Sequence, residues 1–196
     1  MNDQEQMDAP AEPIPEATGQ PLADIAPIVD PTAEIDPTVY LGPGCVVGPH
    51  VKMGPGVRVG ANCIIEEGAE LAAGVGVGSE SVIHSSASLK SSVGYKSVIG
   101  RQVDIGEGAG IGPRTVIGDE TSIGTGSTIR GFTKIGSRVC IGEYAQIGAK
   151  TTIGDGTNIP NGGKVLSYTN VDSSDEIHGW DEAHRHVQSF QSIGPM

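Results

Sequence analysis

Histidine changes charge closest to neutral pH, so a general base is sought first among the five histidines of this chain. His50 and His84 lie in a repetitive middle region, and His178, His184 and His186 lie near the C-terminus. His84 follows Glu66 by eighteen residues, and both replace the glycine that the repeat often carries there, as Ala72, Lys90, Arg130 and Pro160 also do. A carboxylate at that separation is placed to orient the imidazole. A surface or packing histidine is the open alternative. His50, in Gly-Pro-His, falls at an expected corner. Arg130 and Phe132, within STIRGFTKIG, set a guanidinium beside an aromatic ring, a combination suited to holding a phosphate and stacking a base. A corner variant with an exposed ring is the alternative there. Metal chemistry is not indicated. The middle region has no third histidine, the C-terminal trio lacks paired spacing, and there is no C-x-x-C. Cys45 and Cys63 are eighteen residues apart at inward positions and read as small buried hydrophobes, whereas Cys140 points outward.

These side chains are positioned by a six-residue repeat. From Ile99, every sixth residue up to Ile159 is isoleucine, and glycine usually follows it. The residue two before each isoleucine is small or slim, as in Ser97, Val103, Ala109 and Thr115. This period fits neither a helix nor a lone alternating strand; it is a solenoid repeat. A short strand turns residues i−2 and i to one face, so a large aliphatic and a slim residue share the interior. Glycine at i+1 suits a corner that needs positive φ or close backbone approach. Three strands and three corners make an 18-residue coil, and coils stack about 4.8 Å apart as parallel strands.

The hexads IGDETS and IGSRVC resemble the hexapeptide-repeat superfamily. The resemblance covers about Val29 to Val165. It implies an all-β fold, a left-handed parallel β-helix of about seven to eight coils. It also implies acyl transfer from acetyl-CoA or another acyl thioester to a sugar or nucleotide-sugar hydroxyl or amine, at the subunit clefts of a homotrimer. His84 would then be the base and Glu66 its orienting partner, with Arg130 and Phe132 as substrate or cofactor contacts and no tightly bound cofactor. The segment SVIHSSASLKSSVGYKSVIG also resembles the β-helix tail of sugar nucleotidyltransferases, which makes a non-catalytic trimeric scaffold or regulatory module the second function class. Gamma-class carbonic anhydrases share the fold but need three zinc-binding histidines, which this repeat lacks.

An earlier block carries the same hexad through Val29, Ile35, Leu41, Val47, Met53, Val59, Ile65, Leu71, Val77, Ile83 and Leu89. Its register breaks after Leu89, with Val93 only four residues on. The break is expected to shorten one coil, about Ile83 to Ile99, to 16 residues, or to put a small bulge in it. One face would then present Val46, Ile64, Val82, Val98 and Val116 outward as a continuous apolar stripe. Such stripes mark interfaces, so these five are the expected trimer contacts.

Charge is unevenly placed. Of 24 acids, nine lie in 1–36 and five in 166–196, leaving ten in 37–165 against eleven of the twelve Lys and Arg. A near-neutral repeat with acidic ends disfavours nucleic acid as a partner. No apolar run approaches a membrane span and no signal peptide is evident, so a cytoplasmic protein is expected. Residues 1–24, rich in Pro and acids, read as a disordered arm. The repeat occupies 25–165, and 166–196 is expected to cap it with a short α-helix that carries Ile177, Trp180, His184, Val187 and Phe190.

Overall fold

The computed structural model describes residues 25–89 and 97–173. The expected N-terminal arm and the C-terminal helix lie outside these residues. The described chain is an all-β solenoid of 24 two-residue strands in three parallel eight-stranded sheets. Face I stacks Ile28–Val29, Val46–Val47, Ile64–Ile65, Val82–Ile83, Asp104–Ile105, Ser122–Ile123, Cys140–Ile141 and Asn158–Ile159. Face II runs from Glu34–Ile35 to Lys164–Val165, and face III from Tyr40–Leu41 to Asn170–Val171. The last strand lies six residues beyond Val165, the final aliphatic of the expected repeat. Among the described residues, no helix is long and apolar enough to cross a membrane.

The alternation within each hexad accounts for the core. From the second coil onward, residue i of each strand is buried and residue i−1 faces out. Ile105, Ile111, Ile117, Ile123 and Ile129 are at most 1 % exposed. Inward Ser and Thr are satisfied, because their hydroxyls donate to corner carbonyls. Thr121 Oγ1 reaches Gly136 O at 3.0 Å and Ser127 Oγ reaches Gly142 O at 2.7 Å. No buried side-chain polar atom among the described residues lacks a partner.

The corners separate the two reasons offered for glycine at i+1. Positive φ falls two residues later, at His50 (56°), Phe132 (62°) and Gly126 (65°) among others. At i+1 the reason is close approach: a Cβ on Gly118 would lie 2.6 Å from the Gly136 carbonyl carbon in the next coil.

The register break is an insertion. Ile83 pairs with Ile105 and Leu89 with Ile111, so one coil has 22 residues instead of the expected 16. Strand Val98–Ile99 therefore pairs with Gly76–Val77 on face III. Four residues more than a hexad separate Leu89 from Ile99. The extra chain enters within 90–96, outside the described residues.

Candidate functional site

His84 and Glu66 occupy the same corner, between faces I and II, in successive coils. Their backbones are fixed by the ladder, with Glu66 N donating to Ile83 O and His84 N to Ile105 O, each at 2.9 Å. The Glu66 side chain then meets its expected partner: His84 Nδ1 lies 3.1 Å from Glu66 Oε2. The same oxygen accepts from Ser85 N and Ser85 Oγ, both at 3.1 Å. Burial, the largest single influence, pushes the Glu66 carboxyl up, but the hydrogen bonds from His84 and Ser85 and the attraction of the His84 charge together outweigh it. The net shift is below the usual carboxylate value.

Sequence reading missed the third member. Asp104 Oδ1 lies 3.2 Å from His84 Nε2, on the other side of the ring. Asp104 follows Val82 by 22 residues, and only the insertion brings it into this stack. A six-residue count through the break puts Val98 there instead. The ring thus spans three coils, with one carboxylate facing each nitrogen. It is 37 % exposed, so it remains open to a ligand. In its neutral form with Nδ1–H donated to Glu66, the ring would present its lone pair at Nε2; when protonated it donates to both carboxylates.

Arg130 lines an open cleft of about 490 Å³ with Thr128, Gln146, Gly148, Lys164, Leu166 and Ser167. Gly148 lies between Arg130 and Leu166, its counterparts one coil either side. Phe132 is not part of this lining. It sits further round the corner, where the Arg114 guanidinium lies 5.2 Å from its ring centroid. His50 is exposed at its corner and joins no carboxylate cluster among the described contacts.

The expected apolar stripe is divided. Val46, Ile64 and Val82 stack on face I above Ile28, whereas Val98 and Val116 stack on face III. The cause is again the insertion, which advances the chain by one face. Cys45 and Cys63 are buried and free. Their thiols donate to Gly60 O at 2.9 Å and Gly78 O at 3.1 Å, as the inward hydroxyls do elsewhere. The Cys63 thiol is pushed up by its hydrogen bond with the Cys45 sulfur and by burial. Among the described residues, no three His, Cys, Asp or Glu side chains are grouped to hold a metal.

Three parallel sheets built on a six-residue register define a hexapeptide-repeat β-solenoid. The same fold is seen in UDP-N-acetylglucosamine acyltransferase from Campylobacter jejuni, with TM-score 0.69 and 24 % identity over 74 % of this chain and 62 % of that one. It is also seen in the acetyltransferase domain of PglB from Neisseria gonorrhoeae FA1090 in complex with acetyl coenzyme A. There the TM-score is 0.55 and identity 20 %, over 69 % of this chain and 55 % of that one. The chain thus spans less than two thirds of either structure. No family model matches the sequence. No curated protein matches it either.

Proposed function

We propose that this protein transfers an acyl group from a thioester such as acetyl-CoA to a hydroxyl or amine of a sugar or nucleotide sugar, with His84 as the base. The observation that carries this reading is the Glu66–His84–Asp104 cluster, a partly exposed imidazole with a carboxylate at each ring nitrogen. His84 Nε2 removes the acceptor proton as the acceptor attacks the thioester carbonyl. The imidazolium is stabilised by Glu66 and Asp104 and then returns the proton to the leaving thiolate. Asp104, 55 % exposed, yields its place at Nε2 to the acceptor. Arg130 and Lys164 supply the charge for the donor's phosphates. Between Arg130 and His84, face II presents only Ser88, Gly110 and Thr128 outward, and Gln146 then separates Thr128 from Lys164. This low track has room for an extended arm spanning about 10 Å along the axis, two coils.

The divided apolar patches suit a homotrimer. A cyclic trimer is heterologous, so each subunit needs two different patches, here Val46, Ile64 and Val82 on face I against Val98 and Val116 on face III. His84 then sits at the outer lip of each subunit cleft. The test is thiol release from acetyl-CoA with a panel of amino- and hydroxyl-bearing nucleotide sugars. His84→Ala should lower kcat/KM by about 100-fold or more with the fold unchanged by circular dichroism. No release with any acceptor at millimolar donor, or full activity in His84→Ala, overturns the reading.

One observation favours a second reading. Both nitrogens of His84 face carboxylates, and a ring can donate to both at once only when protonated. As such a strut, His84 would serve a non-catalytic trimeric scaffold. In that case His84→Ala lowers the melting temperature and leaves acetyl-CoA binding, if any, unchanged.

A further inference from the structure

In the last four coils, face II, face III and the corner between them carry five exposed cations, Arg114, Arg130, Lys134, Lys150 and Lys164. That surface contains no Asp or Glu. The acids of these coils lie on face I and on the other two corners, among them Asp104, Glu107, Asp119, Glu143 and Asp155. This segregation occurs in a chain of net charge −12. The corner also alternates cations with rings. Arg114 lies over Phe132 at 5.2 Å and Lys150 over Tyr168 at 5.0 Å, and the rings of Phe132 and Tyr168 are 46 % and 75 % exposed.

We infer that this basic quadrant is the docking surface for the chain's own acidic N-terminal segment, residues 1–24. The charges are complementary, since that segment holds six carboxylates and neither Lys nor Arg. The spacing also fits. Glu5, Asp8, Glu12 and Glu16 are three or four residues apart, about 10–13 Å in an extended chain. Arg114 and Lys150 are two coils apart, about 10 Å. Reach is sufficient, because 24 residues span up to about 80 Å, whereas eight coils measure about 38 Å. The net negative charge of the protein disfavours capture of a free polyanion, but a tethered segment acts at millimolar effective concentration. Four prolines in the segment offer flat apolar faces to Phe132 and Tyr168. The C-terminal residues 174–196 are weaker candidates, with four acids offset by Arg185. Arg130 and Lys164 line the cleft, so the docked segment competes there with any anionic ligand. The inference does not depend on the proposed chemistry, because docking is read without turnover.

The experiment treats the full chain with a water-soluble carbodiimide, which joins a carboxylate to a lysine amine with loss of water, and maps the links by mass spectrometry. At low salt, links should join residues 1–24 to Lys134, Lys150 or Lys164, and fall at least fivefold in 0.5 M NaCl. Calorimetry with inorganic tripolyphosphate supplies the second reading. A variant with all six acids of 1–24 changed to amides should bind it at least three times more tightly than the wild type. Links that fall on Lys52 or arise from residues 174–196, an absence of links, or equal tripolyphosphate affinities would overturn the inference.

Discussion

In the last coils the slim inward position is held largely by Ser and Thr, and the large one by isoleucine as far as Ile159, then by Val165 and Val171. In the first coils the slim position is Cys45, Val51, Val57, Cys63, Ala69 and Val75, and the large one varies among Val, Met, Ile and Leu. Both interiors are buried, but they satisfy the corner carbonyls differently. Thr121 and Ser127 do so with hydroxyls, and Cys45 and Cys63 with thiols; Val51 and Val57 have nothing to donate. The outsides differ as well. The first coils expose Ile28, Val46 and Ile64, while the last expose a one-signed basic quadrant. The lesson is that the hexad fixes geometry, and the choice of slim residue and outward residue is free to give the two halves of one solenoid different interiors and different surfaces.

The strongest challenge to this contrast is a cavity in each half. Ile123→Ala, mid-column and 1 % exposed, should cost about 2–5 kcal/mol. Ile35→Ala, half-buried in the first coil, should cost clearly less, because only the next coil supports it. Denaturant melts decide the order, and a larger loss for Ile35→Ala would reverse it. Next comes backbone approach. Gly118→Ala should cost about 1–3 kcal/mol by forcing a Cβ against Gly136 and Ser137. Gly110→Ala should be neutral or stabilising by about 0.4–1 kcal/mol, since nothing lies within 4 Å of its added carbon. Thermal melts showing equal losses at both sites would remove close approach as the reason for the glycine.

A smaller effect sharpens the comparison of interiors. Thr121→Val leaves Gly136 O and Val139 N without the hydroxyl they share, at 3.0 and 3.3 Å, and should cost about 1 kcal/mol in a urea melt. No measurable loss would make the hydroxyl column incidental. Smallest is the pH response of the His84 corner. Glu66 titrates below its ordinary 4.5 in the folded protein, so its contribution is present above about pH 4.5 and fades as pH falls through the lower folded value. The difference in melting temperature between wild type and Glu66→Gln should therefore shrink below pH 4.5. A difference that grows on acidification would contradict the shift.

Much of the fold was legible because one period governs it. Eighteen residues separate Glu66 from His84 within an unbroken register, so their meeting could be read directly. Asp104 could not, because the repeat fails in KSSVGYK and a count of aliphatics cannot tell a lost pair of residues from four gained. The same ambiguity put Val98 and Val116 on the face of Val46. The reason for glycine at i+1 was only half legible. Period alone does not say which corner residue takes positive φ, and the backbone assigns it to residues such as Phe132.

The account turns on the 22-residue coil that joins the two halves and sets Asp104 on the free side of the His84 ring. Long-range proton–nitrogen NMR of the imidazole tests it directly, with the His84 signals assigned by His84→Gln. Glu66→Gln should move the Nδ1 resonance, Asp104→Asn should move Nε2, and Val98→Thr should move neither. If Nε2 responds to Val98→Thr and ignores Asp104→Asn, the coil is short, the cluster is two residues instead of three, and the account is wrong.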